Sequence, residues 1–191
     1  MSTPLAAMDA AQRHAAISDN FARVSDAITD WSAPTPVPDW VASDVVSHLV
    51  DWFTAFLDTG GVSLTPGPSV DDDPAAAWRH HAAAVQELFD APDTTFAHPM
   101  VGEHLIGEAI DRFYTADVFM HTWDLARSNG VEPDLDAGFA ARMREGMAPI
   151  EEILRSSGQY GPAVPVAPDA DPVSRLMAFV GRDPGWRPAG G

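Results

Sequence analysis

The sequence predicts an all-α protein: an up-and-down four-helix bundle followed by an additional helix and a carboxy-terminal tail. Apolar residues recur at helical spacings of three and four in successive segments, and clusters of Pro and Gly separate these segments. The chain has 191 residues, the length of one ordinary domain, and neither an internal repeat nor a linker divides it. We therefore expect a single domain that spans residues 1–191.

Proline, glycine and capping residues mark where the predicted helices begin and end. The first helix stops before the prolines of residues 34–38, the second begins at Ser43, and the third begins at Pro74. The fourth stops at Asn129–Gly130. The stretch Thr94–Glu103 is expected to be extended or loop, because a proline and a glycine break it. The predicted helices cover residues 5–31, 43–57, 74–91, 105–128 and 136–156, with a short tail helix around residues 172–180.

Charge and cysteine content exclude several classes of protein. The chain carries 28 acidic and 11 basic residues for a net charge of -17, and such a surface repels phosphate backbones and anionic lipid. We therefore expect no nucleic-acid or membrane partner. With no Cys, the chain has no disulfide, thiolate metal ligand or cysteine nucleophile. The absence of a long apolar run and of a basic-then-apolar amino terminus predicts a soluble cytoplasmic protein.

The fourth predicted helix carries acidic and histidine side chains on its apolar side. At about 100° per residue, Ile106, Ile110 and Phe113 define an apolar line. Asp117, His121 and Asp124 continue that line. An unpaired buried carboxylate is costly, so an inward-facing one needs a partner. Asp117 and His121 stand one helical turn apart, and this spacing suits two side chains that bind one ion.

The second predicted helix has a polar residue in a matching position. His48 lies between apolar residues at spacings of three and four, so it belongs to the apolar face. Two helices of a bundle could thus bring His48, Asp117 and His121 together as three metal ligands. Alternatives remain: His48 is a hydrogen-bonded core residue, or Asp117 and His121 form a buried ion pair while Asp124 pairs with Arg127 or another arginine.

The remaining histidines give weaker signals. His80 and His81 are adjacent, hence about 100° apart on a helix, and cannot both face one ion. We interpret both as surface or edge residues. His104, near the start of the fourth predicted helix, could line the mouth of a pocket.

Three segments resemble the signatures of one family. Residues 40–50, which begin with Trp40 and contain His48-Leu49-Val50, resemble the tryptophan-then-HLV signature of the DinB-like superfamily. Residues 117–126 consist of an acid, three further residues and then His-Thr-Trp-Asp-Leu-Ala. This pattern is similar to a signature of one branch of the superfamily, the branch around the mycothiol-dependent maleylpyruvate isomerase amino-terminal domain. Residues 175–184 resemble the closing motif of a single-domain, metal-binding subgroup. The three motifs occur in the family's order.

The resemblance implies a four-helix bundle that holds one divalent metal at its open end. By position its ligands are His48, Asp117 and His121, with Asp117 standing where the isomerase has the longer Glu. Two imidazoles and one carboxylate suit Zn or Ni, and also Fe or Mn. After Gly130 only one helix and a short tail are expected, whereas the isomerase continues into a second domain. The resemblance therefore does not extend to maleylpyruvate isomerisation itself.

The resemblance also implies thiol chemistry. A metal-bound thiol such as mycothiol ionises at neutral pH and attacks an electrophilic carbon of the substrate, which fits an isomerase or an S-transferase. We expect Asp124 to be a catalytic residue, orienting a ligand or accepting a proton, and Tyr114 to contact the cofactor. The alternatives are a non-catalytic metal- or small-molecule-binding module of the same fold, or a structural bundle with a buried Asp–His network. A homodimer could form through apolar surface of residues 60–70 or of the fifth helix.

Overall fold

The computed structural model of the protein describes residues 3–156, 158 and 160–188. The protein is mostly helical, and a hairpin of strands β1 (Thr95–His98) and β2 (Gly102–Leu105) interrupts the helices. Within the described ranges, no helix is both long enough and apolar enough to cross a membrane. The helices are α1 (Ala10–Asp26), α2 (Ala42–Thr59), α3 (Pro74–Glu87), α4 (Ile106–Ala109), α5 (Ala116–Ser128), α6 (Ala137–Met147), α7 (Glu151–Ser156) and α8 (Pro172–Phe179).

The four longest helices of the amino-terminal two thirds enclose the main core. Helix α1 packs against α3 and α5, and α2 packs against the same two helices. Their apolar stripes face one another as the three-and-four spacing predicts. The contact between Phe21 and Trp78, whose ring centroids lie 4.2 Å apart, joins α1 to α3. Other fully buried side chains in this core include Phe53, Tyr114, Phe119, Leu49, Leu57, Ile110 and Leu125.

Side-chain caps set where these helices begin. Helix α1 starts at Ala10 because the Asp9 carboxylate accepts the Gln12 N–H at 2.8 Å, so the predicted start at residue 5 was too early. Helix α2 starts after Val41, whose N–H donates to Asp44 Oδ2 at 2.8 Å. The predicted cap at Ser43 was therefore wrong by two residues.

The hairpin adds a small two-stranded sheet to the mostly helical fold, in the stretch that the sequence predicts to be extended or loop. Residues 95–98 pair antiparallel with residues 102–105, and Phe96 stands opposite His104. Phe96 is fully buried and lies against Phe56 of α2, with the ring centroids 5.0 Å apart. The β-forming stretch thus gains stability by pairing with itself and by placing one aromatic ring in the core.

The long helix predicted for residues 105–128 contains a wide turn. A π-helical segment, Ile110–Thr115, separates α4 from α5, and the Thr115 hydroxyl donates to the Ile110 carbonyl, five residues earlier, at 3.3 Å. Tyr114 and Thr115 are buried, whereas Phe113 is only partly buried. The π turn therefore moves the buried face by one residue relative to the expected line.

The carboxy-terminal part forms a second layer. Helix α6 packs against α8, and the Asp136 carboxylate caps α6 and also accepts the N–H of Leu5 at 3.1 Å. The predicted helix over residues 136–156 is divided into α6 and α7 by a 3₁₀ turn at Ala148–Ile150. Pro149 explains the break, because it has no N–H to continue the α-helical hydrogen bonds.

Candidate metal centre

Helix α2 presents a histidine and a tryptophan toward α5. His48 and Trp52 stand one turn apart, and both side chains meet the same carboxylate oxygen of Asp117. His48 Nε2 lies 3.2 Å from Asp117 Oδ2, and the Trp52 Nε1–H donates to that oxygen at 3.0 Å. The helical spacing of the α2 pair therefore fixes the position of an acidic side chain on a neighbouring helix.

Helix α5 completes the cluster with His121. His121 Nε2 lies 3.5 Å from Asp117 Oδ1, and the His48 and His121 ring centroids are 4.8 Å apart. One ligand atom from each of His48, Asp117 and His121 lies within 4.8 Å of the other two. The structure therefore brings together the three side chains predicted as ligands.

Exposure falls steadily across the cluster. The side chains of His48 and Asp117 are 31% and 22% exposed, whereas that of His121 is 7% exposed and that of Asp124 is fully buried. The site thus has an open side at His48 and a closed side at His121. An incoming small molecule would meet the donors from the His48 side.

Asp124 lies behind His121 and is paired with an arginine from the end of the chain. Its Oδ2 is 2.9 Å from His121 Nδ1 and 3.2 Å from Arg182 Nη2, and Arg182 Nε donates to Oδ1 at 3.3 Å. The sequence left open whether Asp124 pairs with Arg127 or with another arginine, and in the structure the partner is Arg182. A buried carboxylate with two cationic or hydrogen-bonding partners satisfies the requirement that buried charge be compensated.

Aromatic rings enclose the imidazoles. Trp40 precedes α2 and stacks on His121, with centroids 5.7 Å apart and planes inclined by 17°. The same indole lies 5.0 Å from the His48 ring. Two imidazoles held against one indole lose little further rotamer freedom when they bind a ligand, which favours a preorganised site.

Charge and burial act in opposite directions on the pKa of each group. Burial lowers the pKa of His121, but the carboxylates of Asp117 and Asp124 outweigh it and the net shift is upward. Burial raises the pKa of Asp117, but His121, His48 and the Trp52 hydrogen bond outweigh it and the net shift is downward. The pKa of Asp124 is also lowered, because His121 and Arg182 outweigh burial. Both carboxyl groups are thus held as carboxylates.

Tyr114 lies deep in the core rather than at the open side of the site. Its ring is fully buried and stacks on Phe53 at 3.8 Å with the planes 6° apart. Within the described residues its hydroxyl has no hydrogen-bond partner. Burial and then the charge of Asp117 raise the pKa of Tyr114. Its contact with a cofactor stays a prediction, and the buried ring offers no exposed atom for one.

A second set of buried histidines corrects the interpretation of His81 as a surface residue. His81 is 4% exposed and His14 is 1% exposed, and the two rings lie near Tyr114, with centroids 5.8 Å and 6.2 Å from its ring. His104 is partly buried, and its Nε2 contacts the Val101 carbonyl at 3.0 Å. It is absent from the group of residues that converge on Asp117.

Several residues of the site were missed by sequence reasoning. Trp52 carried a usable signal, since it lies one turn after His48. Trp40 and Arg182 carried none beyond their place in motifs, because their contacts join distant parts of the chain. The charges of the site also act on Tyr160. Burial and the charge of Asp117 raise the pKa of Tyr160, and the charge of Arg182 partly offsets this rise.

The fold and the donor set together define a class of protein, that of helical proteins with a candidate metal centre. Two imidazole nitrogens and one carboxylate oxygen, converging on a partly open face of a mostly helical protein, could hold one divalent transition metal. The model of the mycothiol maleylpyruvate isomerase N-terminal domain family matches residues 13–126. Because the match covers more than half of the chain, the protein belongs to this DinB-like family. Searches of the curated proteins and of the solved structures found no significant match.

Proposed function

We propose that the protein is a divalent-metal-dependent enzyme that uses an external low-molecular-weight thiol, of the mycothiol type, in isomerase or S-transferase chemistry on an electrophilic substrate. The observation that carries the proposal is the convergence of His48, Asp117 and His121 within 4.8 Å. Three protein ligands leave coordination positions free, as in catalytic sites, whereas structural zinc sites are closed by four. Family membership supplies the expectation of a thiol.

The proposal includes the family's four-helix bundle. In support, α1, α3, α2 and α5 contact one another in a closed ring, each packing against two neighbours of that set. The carboxy-terminal helices would then be additions packed outside the bundle. The cluster lies between two members of the ring, α2 and α5.

His48, Asp117 and His121 would hold the metal. When bound, the metal would lower the pKa of a coordinated thiol, so that the thiolate is available at neutral pH. Trp52 would hold the Asp117 carboxylate through its N–H donor at 3.0 Å. The absence of Cys from the chain means that the reacting sulfur has to come from the bound thiol.

Asp124 fits an orienting role better than a proton-accepting one. Its side chain is fully buried and contacts His121 Nδ1 at 2.9 Å, so it has no exposed oxygen for a substrate proton. A carboxylate on Nδ1 keeps the proton there and leaves the Nε2 lone pair for a ligand bond. Asp124 is thus proposed as a positioning residue for His121.

Metal content tests the proposal directly. Protein purified without a metal-affinity tag is expected to carry about one divalent metal per chain by elemental analysis, because three donors already converge. His121→Ala is expected to lose that metal, whereas His104→Ala, which changes a histidine outside the cluster, is expected to retain it. Equal metal content in His121→Ala and wild type would refute the site.

The thiol requires its own measurement. In cobalt-substituted protein, addition of mycothiol is expected to shift the visible absorption bands, since a sulfur ligand changes the field at the metal. A control with the corresponding alcohol should leave the bands in place. Metal binding without any spectral response to thiol would remove the thiol from the proposal while leaving the metal.

The second candidate is a non-catalytic metal- or small-molecule-binding module of the same fold. It is favoured by the contacts that the Asp117 carboxylate already makes within the protein. His48 and Trp52 contact its Oδ2, and His121 lies 3.5 Å from its Oδ1. A thermal-shift panel of thiols and electrophiles separates the two candidates. Stabilisation without turnover of any thiol–electrophile pair supports the module, and turnover supports the enzyme.

A further inference from the structure

Arg182 connects the end of the chain to the innermost histidine of the candidate metal centre. The family match ends at residue 126, yet Arg182 follows α8 and reaches back to a carboxylate on α5. The Arg182 side chain is 14% exposed and that of Asp124 is fully buried. The contact is therefore an interior one, made by a segment outside the matched region.

We propose that Arg182 is a positioning residue for the metal ligand His121 and acts through Asp124. The inference rests on the proposed function, because it assigns His121 a metal. It adds that residues after the matched region are required for the site to reach its full metal affinity. Among the described residues, the hydrogen bonds of Arg182 go to Asp124 and Val180 and not to the three donors.

The geometry allows Arg182 to fix the orientation of the carboxylate. Its Nε and Nη2 groups contact the two different oxygens of Asp124, at 3.3 Å and 3.2 Å. Such a two-point contact restrains rotation of the carboxylate plane, which a single-point contact does not. The oxygen bound by Nη2, Oδ2, is also the one that lies 2.9 Å from His121 Nδ1.

The tautomer of His121 depends on the orientation of the Asp124 carboxylate. A correctly oriented carboxylate keeps the proton of His121 on Nδ1, so that Nε2, which faces Asp117 at 3.5 Å, has its lone pair free. Without the arginine, Asp124 would be a fully buried carboxylate with only His121 as partner. Such a carboxylate is free to rotate away from His121, and the rotation releases His121 Nδ1.

Each of the three side-chain nitrogens of Arg182 makes a contact within the protein, which argues against a role as a substrate anchor. Two of its nitrogens contact Asp124, and Nη1 donates to the Val180 carbonyl at 3.5 Å. An arginine that binds a substrate anion needs a free edge of its guanidinium group. The observed contacts therefore indicate that the guanidinium group of Arg182 serves to bind the Asp124 carboxylate.

Metal affinity measured by competition with a chromophoric chelator tests the proposal. Arg182→Gln is expected to weaken Zn²⁺ binding by about tenfold or more, in the range found when an outer partner of a ligating histidine is removed. Arg182→Lys is expected to restore part of the loss, because it keeps the charge but contacts one oxygen at a time. Arg175→Gln is the matched control, since Arg175 on α8 donates to the Pro168 carbonyl and contacts no donor of the site. Affinity equal to wild type in Arg182→Gln would overturn the proposal.

A double-mutant cycle tests the route through Asp124. If Arg182 acts only on that carboxylate, Arg182→Gln in an Asp124→Asn background should weaken Zn²⁺ binding by less than twofold further. A full additional loss would mean that Arg182 acts by another route, and would overturn the assignment. If Arg182→Gln does not fold, the Zn²⁺ affinity of Arg182→Lys is compared with that of wild type instead. Equal affinity of these two proteins would refute the proposal.

Nitrogen-15 NMR of the metal-free protein gives a readout independent of metal and of activity. At a pH high enough to keep His121 neutral, the wild-type ring is expected to carry its proton on Nδ1, whereas Arg182→Gln should show a mixture of the two tautomers. An unchanged His121 spectrum would contradict the proposal. If wild-type protein binds no metal, the proposed function fails, and the NMR comparison still reports whether Arg182 orients His121.

Discussion

Replacement of His81 by phenylalanine is expected to make the protein less sensitive to mild acid. The His81 ring is 4% exposed and lies against Phe53 and Trp78, and its Nε2 has no partner among the described residues. Burial, and then repulsion from His14 and His80, lower the pKa of His81 from 6.5 to about 4. The folded chain therefore keeps His81 neutral at a pH where the unfolded chain protonates it.

The sign and size of the effect follow from proton linkage. Between pH 6.5 and about pH 4 the unfolded state binds one more proton at His81, so the free energy of unfolding falls as the pH falls. At about pH 5 the depressed pKa costs the wild type about 2 kcal/mol relative to neutral pH. His81→Phe removes this contribution, so its stability relative to wild type should rise by about that amount between pH 7.5 and about pH 5.

Urea unfolding of both proteins at the two pH values measures the effect. The difference in free energy of unfolding between the two proteins at about pH 7.5 measures how well a phenyl ring packs in place of the imidazole. The change in that difference at about pH 5 measures the cost of keeping His81 neutral in the folded state. His80→Gln controls for removal of one histidine from α3. It removes only the last of the three causes that lower the pKa of His81, so its stability relative to wild type is expected to change less with pH than that of His81→Phe. Parallel pH profiles for His81→Phe and wild type would refute a buried neutral His81.

Two further predictions concern the site and the core. Trp52→Phe removes the N–H donor to Asp117 and is expected to weaken Zn²⁺ binding by about tenfold in a chelator competition, so an unchanged dissociation constant would contradict a role for the indole. Gly60→Ala would place a Cβ 1.9 Å from Cε2 of the buried Phe96 ring, and we expect a loss of about 1–3 kcal/mol in thermal or urea unfolding. The control is Gly146→Ala on α6, where the new Cβ meets nothing within 4 Å, and this variant is expected to gain about 0.5–1 kcal/mol.

The ligand candidates could be predicted because their signal is local. A histidine or aspartate that interrupts an apolar stripe is visible from the spacing of one helix, and His48, Asp117 and His121 each show it. The same signal was present for His81, which lies three residues after Trp78 and four before Val85. Its burial could therefore have been predicted, had the pair His80–His81 been assigned to two different faces of α3.

The partners of these residues could not be predicted because their contacts are not local. Arg182 stands 58 positions from Asp124, and several arginines were available to pair with that carboxylate. The π-helical turn was also invisible: a uniform rotation of about 100° per residue places Phe113 inward, whereas the structure buries Tyr114. Periodicity identifies the buried face of a regular helix, but it assigns the wrong residues to that face where a turn contains an extra residue.

The π-helical segment Ile110–Thr115 also determines where the length of the chain can vary. A π turn holds one residue more than an α-helical turn, so deleting one residue within it and restoring an ordinary α-helical turn would keep the second half of the helix in nearly the same orientation. Asp117 and His121 would then still face His48, although the chain had become one residue shorter. The loss of one residue is therefore compatible with the site at this segment, whereas the same deletion in the regular turns of α5 would rotate every residue beyond it by about 100°.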